Sequence, residues 1–279
     1  MLLRAAVLLM LVAGCKPKSP VSPADLLPVK QALQAASARP VPNPIAGRFG
    51  IRIQSKPLGI GGSTVGGLVI DRPGKLHFSI NTPFGTPVFT VTSDGERVGV
   101  YNGQDKLYVL GQDAALKLSE ASGGAVGMDD IIGLFLGLLP LDPSTIEHGE
   151  LVEGAVHVRA IGPGDTRVEA RLDPVLGTPQ RVAVFGAMAD TPAVIAEYEA
   201  FEPYGDGVMP SRVTVLVPAY EATLDLRFRS WKEGTPPEGV FVVAAPKGMA
   251  VLDFEAYGAL MADKLREARG EEVAPEPAP

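Results

Sequence analysis

At 279 residues with a formal charge of −7, the chain is long enough for one large domain or two small ones. That charge, with no basic stripe, excludes phosphate-backbone binding, which needs clustered Lys and Arg, so no nucleic-acid partner is expected. A single cysteine, Cys15, excludes a disulfide within the chain.

The N-terminus reads as a targeting segment. Arg4 precedes a short apolar run, Ala5–Val12, too short to cross a bilayer as a helix. The run ends in Leu11-Val12-Ala13-Gly14-Cys15, which resembles the bacterial lipobox, in which the cysteine is acylated and becomes the new N-terminus. Residues 1–14 are therefore expected to be a signal peptide and Cys15 a lipidation site. Under the enteric sorting rule, Lys16 in place of an aspartate favours the outer membrane. Residues 15–44 read as a proline- and serine-rich tether followed by a short helix from about Val29, with Asp25 as a possible cap.

Strand patterns begin at residue 45. Phe49, Ile51 and Ile53 alternate with polar residues or glycine, then Val65, Leu68 and Ile70 follow. The glycine-rich stretch Gly59–Gly67 has neither a Lys-Ser/Thr ending nor GxGxxG spacing and reads as turns and bulges rather than a phosphate loop. Residues 74–111 form a meander. Leu76, Phe78 and Ile80 alternate in one strand, Phe89 and Val91 in the next, then Val98/Val100 and Leu107/Val109, with Asp94-Gly95 and Asn102-Gly103 as turns. The first turn departs from the usual polar composition, because Thr82-Pro83-Phe84-Gly85 puts a bare aromatic at a loop tip.

Residues 128–139, MDDIIGLFLGLL, predict a helix apolar almost all round, opened by Asp129 and Asp130 and stopped by Pro140. Such a helix is either buried on two sides or covers something not always present. Gly133 and Gly137 each lower its intrinsic stability by about 1 kcal/mol relative to alanine, as suits a moving lid. Strands resume at Val156/Val158, Val168–Leu172, Val182/Val184, Val194–Tyr198, Val213–Val217 and Leu224–Phe228, making about 11–12 in all. Residues 254–270 predict an amphipathic helix with Asp253 as N-cap, Phe254, Tyr257, Leu260, Met261 and Leu265 on one face, and Gly270 past its end. Residues 271–279 are acidic and proline-rich and read as a disordered tail.

Little points to catalysis. His77 and His157 fall on strand faces opposite the apolar residues, and His148 falls in a loop, none at metal-ligand spacing. There is no Gly-x-Ser-x-Gly elbow. Asp129-Asp130 fits a helix N-terminus, and Glu197, Glu199 and Glu202 fit a solvated outer face. Neither an enzyme nor a metal or cofactor site is expected.

The order of these features resembles the LolA/LolB-like lipoprotein-carrier family, LolB most closely. The resemblance is carried by the lipobox at Cys15, GRFGIRI at Gly47–Ile53, Lys75–Leu110, the apolar DDIIGLFLGLLPLD at Asp129–Asp142 and YGDGVMPSRVTVLV at Tyr204–Val217. It implies a mainly β fold over residues 45–253: one strongly curved antiparallel sheet, a half-open barrel, closed by covering helices. It also implies lipoprotein acyl chains or another lipid as ligand, a periplasmic LolA-like chaperone as partner, and a monomer lipid-anchored to the outer membrane and facing the periplasm. The family's protruding loop matches Asn81–Thr86, with Phe84 beside Pro83 as the membrane-inserting residue.

The physics of such cargo asks for an apolar container, since each methylene costs about 0.8 kcal/mol to keep in water. The alternating residues Ile51, Ile53, Leu76, Phe78, Ile80, Phe89, Val91, Val213 and Val215 would form its wall. Ile131, Ile132, Phe135 and Leu138 would form its cover. Alternation leaves open whether these enclose a hollow or fill one another's space, and with the filled case stands a structural or interaction lipoprotein of the envelope.

Overall fold

The computed structural model describes residues 26–57, 59–112, 127–139, 145–161, 166–187 and 189–271. The expected signal peptide, Cys15, the tether, the Asp25 cap, the turn at 162–165 and the tail from 272 lie outside the described residues. Helix α1 spans Leu26–Ala38. A meander follows: β1 (Ile45–Ser55), β2 (Ile60–Asp71), β3 (Lys75–Asn81), β4 (Pro87–Asp94), β5 (Arg97–Asn102) and β6 (Leu107–Gln112). Helix α2 (Met128–Leu136) leads to β7 (Ile146–Val152), β8 (Ala155–Ile161), β9 (Arg167–Leu172), β10 (Pro179–Phe185), β11 (Pro192–Tyr204), β12 (Gly207–Val217) and β13 (Ala222–Glu233). Strand β14 (Ala250–Leu252) and helix α3 (Phe254–Arg269) come last.

The fourteen strands of the described residues form one sheet, in the order β14-β6-β5-β4-β3-β2-β1-β13-β12-β11-β10-β9-β8-β7. Neighbours are antiparallel except β14, which lies parallel to β6. The end strands β14 and β7 do not pair with each other, so the curved sheet stays open. The alternation led to the expectation of a mainly β chain and the family resemblance to that of a half-open sheet; both are met, with two strands beyond the twelve segments that alternate. Strand β7 has exposed Leu151 and Val152 in place of a buried alternation, and β14 is three residues long, so neither carried a legible period. His148 accordingly lies in β7, not in a loop.

The two meanders meet at β1, which pairs with β2 on one side and β13 on the other. Phe49 of β1 stacks on Phe78 of β3 at 5.3 Å between ring centroids and meets Phe228 of β13 edge-on at 5.6 Å. Its ring lies over Gly66 of β2, where a Cβ would come within 2.3 Å of Phe49 Cε2 and 2.5 Å of the Ser79 carbonyl. Glycine is therefore a packing requirement at this position. The expectation of turns and bulges across Gly59–Gly67 is corrected here: Gly59 closes a turn with φ +62°, but from Ile60 onward the stretch is a continuous strand. The β1 backbone supplies its pairing, and the irregularity falls instead between Arg48 and Phe49, opposite β13.

Two hydrophobic clusters line the inner face. One gathers residues of β1–β6 with Ile132 and Leu136, the other gathers β8–β12 with Val29 and Ala32 of α1 and Leu134. Helix α2 is wedged between them, which explains its apolar circumference: Ile132 and Leu136 are fully buried towards one side, Leu134 towards the other. It ends at Leu136 rather than 139, because Gly137 takes the left-handed conformation (φ 64°) three residues ahead of Pro140.

Both ends of α2 are tied down. Gly127 N–H donates to Asp130 Oδ2 at 2.8 Å, and Gly74 N–H to Asp129 Oδ1 at 2.8 Å. Burial pushes the Asp130 carboxyl up, against the Gly127 bond, which lowers it. At the C-terminus, Arg39 donates to the carbonyls of Leu136 and Gly137 and to Val208, and lies over the Phe201 ring at 5.3 Å. Burial lowers the Arg39 pKa to about 10, so it remains a cation at neutral pH and complements the helix dipole. Buried Tyr198 donates to the Leu134 carbonyl at 2.7 Å. Tyr198→Phe should therefore leave a buried carbonyl without that donor and lower stability by about 1–3 kcal/mol, measured as a reduced midpoint in urea unfolding.

Candidate functional site

Along β3 the inner face changes character. Leu76 and Phe78 lie beneath α2, and Phe135 stacks on Phe78 at 5.3 Å, so that end is solid. Past Ile80 the filling stops. A cavity of about 500 Å³ opens there, lined by apolar Ile53, Ile60, Ile80, Val88, Phe89, Leu224, Tyr257 and Met261, with Gly61 and Gly62. Its polar lining comes from Ser63, Thr64, Asn102, Gln104, Asp105 and Lys264.

Three local features leave this space empty. Gly62 sits opposite Ile53 on the inner face, and beyond its chain neighbours a Cβ there would meet no heavy atom of the described residues within 4 Å. Strand β3 ends at Asn81 while β2 runs back to Ile60, so part of the wall is missing. Finally, the cover is α3, none of whose residues is buried. It is seated by Phe254, whose ring occupies the place a Cβ at Gly111 would take, 2.3 Å from Phe254 Cδ2. A Lys264–Asp105 ion pair of 3.1 Å joins α3 to the β5–β6 turn beside the cavity. Burial pushes the Tyr257 phenol above its ordinary value, with Tyr220 and Asp105 adding and Asn102 opposing.

The loop joining β3 to β4 leaves from the same place. Thr82 N–H donates to the Thr86 carbonyl at 2.8 Å, Gly85 N–H to the Thr82 carbonyl at 2.9 Å and Thr86 N–H to Thr82 Oγ1 at 3.2 Å. Gly85 supplies the positive φ of 85°. This small knot holds Phe84 95% exposed, with Pro83 also exposed beside it. Both roots of the loop, Ile80 and Val88, line the cavity.

Of the residues expected to enclose a hollow, Ile53, Ile80 and Phe89 line this cavity. Ile51, Leu76, Phe78 and Ile132 are buried in the first cluster, with Val91, Ile131, Phe135 and Leu138 packed against it. Val213 is buried in the second cluster, and Val215 touches both. The expected lid over 128–139 is thus a core helix, and the role of cover falls to the C-terminal helix. The sequence does not mark Gly62, Val88, Leu224, Tyr257 or Met261 as lining. The apolar face of residues 254–270 carried a signal for two of them, but no period shows which sheet position a terminal helix will roof.

Elsewhere several polar groups are engaged with neighbours. His77 is half-buried rather than facing water, with Nδ1 3.1 Å from Thr92 Oγ1, and burial lowers its pKa. Glu197 pairs with Arg181 at 3.7 Å, and Glu199 with Arg212, which also binds Asp225 through Nε at 2.7 Å and holds that carboxyl below its ordinary value. Among the described residues no group of three His, Cys, Asp or Glu is placed to hold a metal ion, and no helix is long and apolar enough to cross a membrane.

This architecture is a LolA-like fold. A LolA superfamily protein from Nitrosomonas europaea matches with a TM-score of 0.53 and 12% identity, over 77% of this chain and 96% of that one. A domain described as an outer membrane lipoprotein-sorting protein, from Vibrio parahaemolyticus, matches with TM-score 0.52 and 12% identity, over 76% and 94%. A DUF1329 family protein from Desulfovibrio piger gives 0.50 and 9% identity, over 76% and 93%. No protein-family model and no curated protein sequence matches the chain. At these identities the likeness is one of fold.

Because α3 is seated by two partly buried aromatics, Phe254 and Tyr257, and an exposed ion pair worth at most about 1 kcal/mol, Phe254→Ala should loosen it. Hydrogen exchange across 254–269 should accelerate at least tenfold while β1–β5 stay protected.

Proposed function

We propose that this chain is a non-enzymatic lipid carrier of the bacterial envelope. It shelters acyl chains in the cavity beneath α3 and passes them to a membrane by way of the Phe84 loop. One observation supports this above others: an apolar hollow within the ~300–1,000 Å³ range of ligand pockets runs directly into both roots of a loop tipped by a fully exposed phenylalanine. A ~16-carbon chain costs about 12 kcal/mol to keep in water, so transfer of acylated cargo requires such a container. The cavity's apolar side chains would solvate a hydrocarbon without selecting among its atoms. In this reading the chain is anchored at the outer membrane through an acylated Cys15 and works as a monomer on lipoprotein cargo supplied by a LolA-like chaperone. The description of the Vibrio parahaemolyticus neighbour as lipoprotein-sorting is consistent with that assignment.

A second reading, an envelope lipoprotein with a structural or interaction role, draws on the Phe135–Phe78–Phe49 stack, which fills much of the inner face. Binding separates the two. A fluorescent fatty-acid probe should bind the wild type, and Gly62→Leu should weaken it at least tenfold while leaving the unfolding midpoint nearly unchanged, because the new side chain enters open space. Absence of probe binding to the wild type would favour the structural role. Phe84→Glu should leave loading intact but slow transfer of the probe to phospholipid vesicles about tenfold; transfer at the wild-type rate would remove the loop from the mechanism.

A further inference from the structure

Strand β2 outruns its neighbour. It pairs with β3 from Asp71↔Lys75 to Val65↔Asn81, where β3 leaves the sheet. Beyond that point five residues, Ile60–Thr64, continue as strand, and their ladder pairing among the described residues is with β1 alone. At about 3.4 Å per residue this is ~17 Å of strand edge. In an antiparallel ladder alternate residues turn their N–H and C=O to each side, so half of these groups face the slot that β3 vacates. The Thr64 hydroxyl reaches the Asn81 carbonyl at the slot's end. Among the described residues no strand pairs with Ile60–Ser63 on that side.

Exposed edges are ordinarily blunted by lysine, proline, a bulge or a cover. Ile60–Ser63 carries no charge and no proline and pairs with β1 without a bulge. Gly61 and Gly62 put no side chain beside the edge, and beyond their chain neighbours no heavy atom of the described residues lies within 4 Å of either Cβ position. The same residues line the acyl cavity.

We infer that the Ile60–Thr64 edge binds an extended peptide by strand addition, alongside an acyl chain held in the cavity. The ligand is then an acylated polypeptide, not a free lipid. Only another backbone offers donors and acceptors at the spacing of this edge, whereas a fatty acid would leave them to water. The glycines impose little side-chain selection, so the edge would read main chain and accept varied cargo sequences. About five residues following an acylated terminus fill its length. The inference rests on the cavity reading above, and the test separates the two.

Three kinds of probe are compared on the full chain: a fluorescent fatty acid, a dipalmitoylated cysteinyl pentapeptide, and the same lipopeptide N-methylated at alternate peptide bonds in either of two phases. The lipopeptide should bind, and one N-methylation phase should weaken it roughly tenfold, about two net backbone hydrogen bonds, with the other phase affecting it less. Hydrogen exchange in Ile60–Ser63 should slow with the lipopeptide and not with the fatty acid. Equal binding of all lipopeptides, with unchanged exchange at Ile60–Ser63, overturns the peptide site and leaves the cavity reading standing. Failure of every probe, the fatty acid included, overturns both. Protection of Ile60–Ser63 without ligand, rising with protein concentration together with a dimer in sedimentation, would assign the edge to a second copy of the chain and overturn the inference.

Discussion

The pairing of β1 with both β2 and β13 is the constraint on which the rest of the molecule depends. Through it two meanders far apart in sequence become one sheet. The join is packed as well as hydrogen-bonded. Phe49 lies against the bare backbone of Gly66 and between Phe78 and Phe228, while Trp231 stacks on Phe228 at 4.3 Å and approaches Gly47 as closely as a Cβ there would forbid. Aromatic area that is expensive to hydrate is thereby placed where the two halves must meet.

A sheet this wide cannot bury its inner face on itself. The filling is uneven. Helix α2 is apolar on every side because it serves both halves at once, and α1 completes the second cluster. Among the described residues no fully buried helix reaches the far ends of β1 and β3. The space there is bounded by a glycine-bearing strand, the end of a short strand and a helix with no buried residue. The same shortfalls leave the hollow under a helix that buries no residue fully, and binding of flexible hydrocarbon asks for that combination.

The early exit of β3 links container and loop. By leaving the sheet at Asn81 it opens the slot beside β2, exposes that strand's edge and carries Phe84 outward on a hydrogen-bonded turn. An apolar interior, an open main-chain edge and an exposed aromatic thus stem from one change of direction.

Period-two alternation was enough to identify a mainly β chain with one wet and one buried face, and the turn composition of Thr82–Thr86 was enough to single out Phe84. Both are local properties: a pleat faces two ways, and a phenylalanine among turn residues has nowhere nearby to hide. The strand identity of Ile60–Gly67 was not legible, because a strand held by its neighbour's backbone needs no side-chain period of its own. Nor could the apolar run 128–139 reveal whether it filled or roofed a space, since hydrophobicity specifies burial but not what does the burying. Ile53, Ile80 and Phe89 border a cavity while Ile51 and Phe78, two residues away on the same faces, are packed solid. Composition and spacing determined which side chains turn inward; only the tertiary structure, through where α2 stops, where β3 ends and where α3 lands, decided which of them meet empty space.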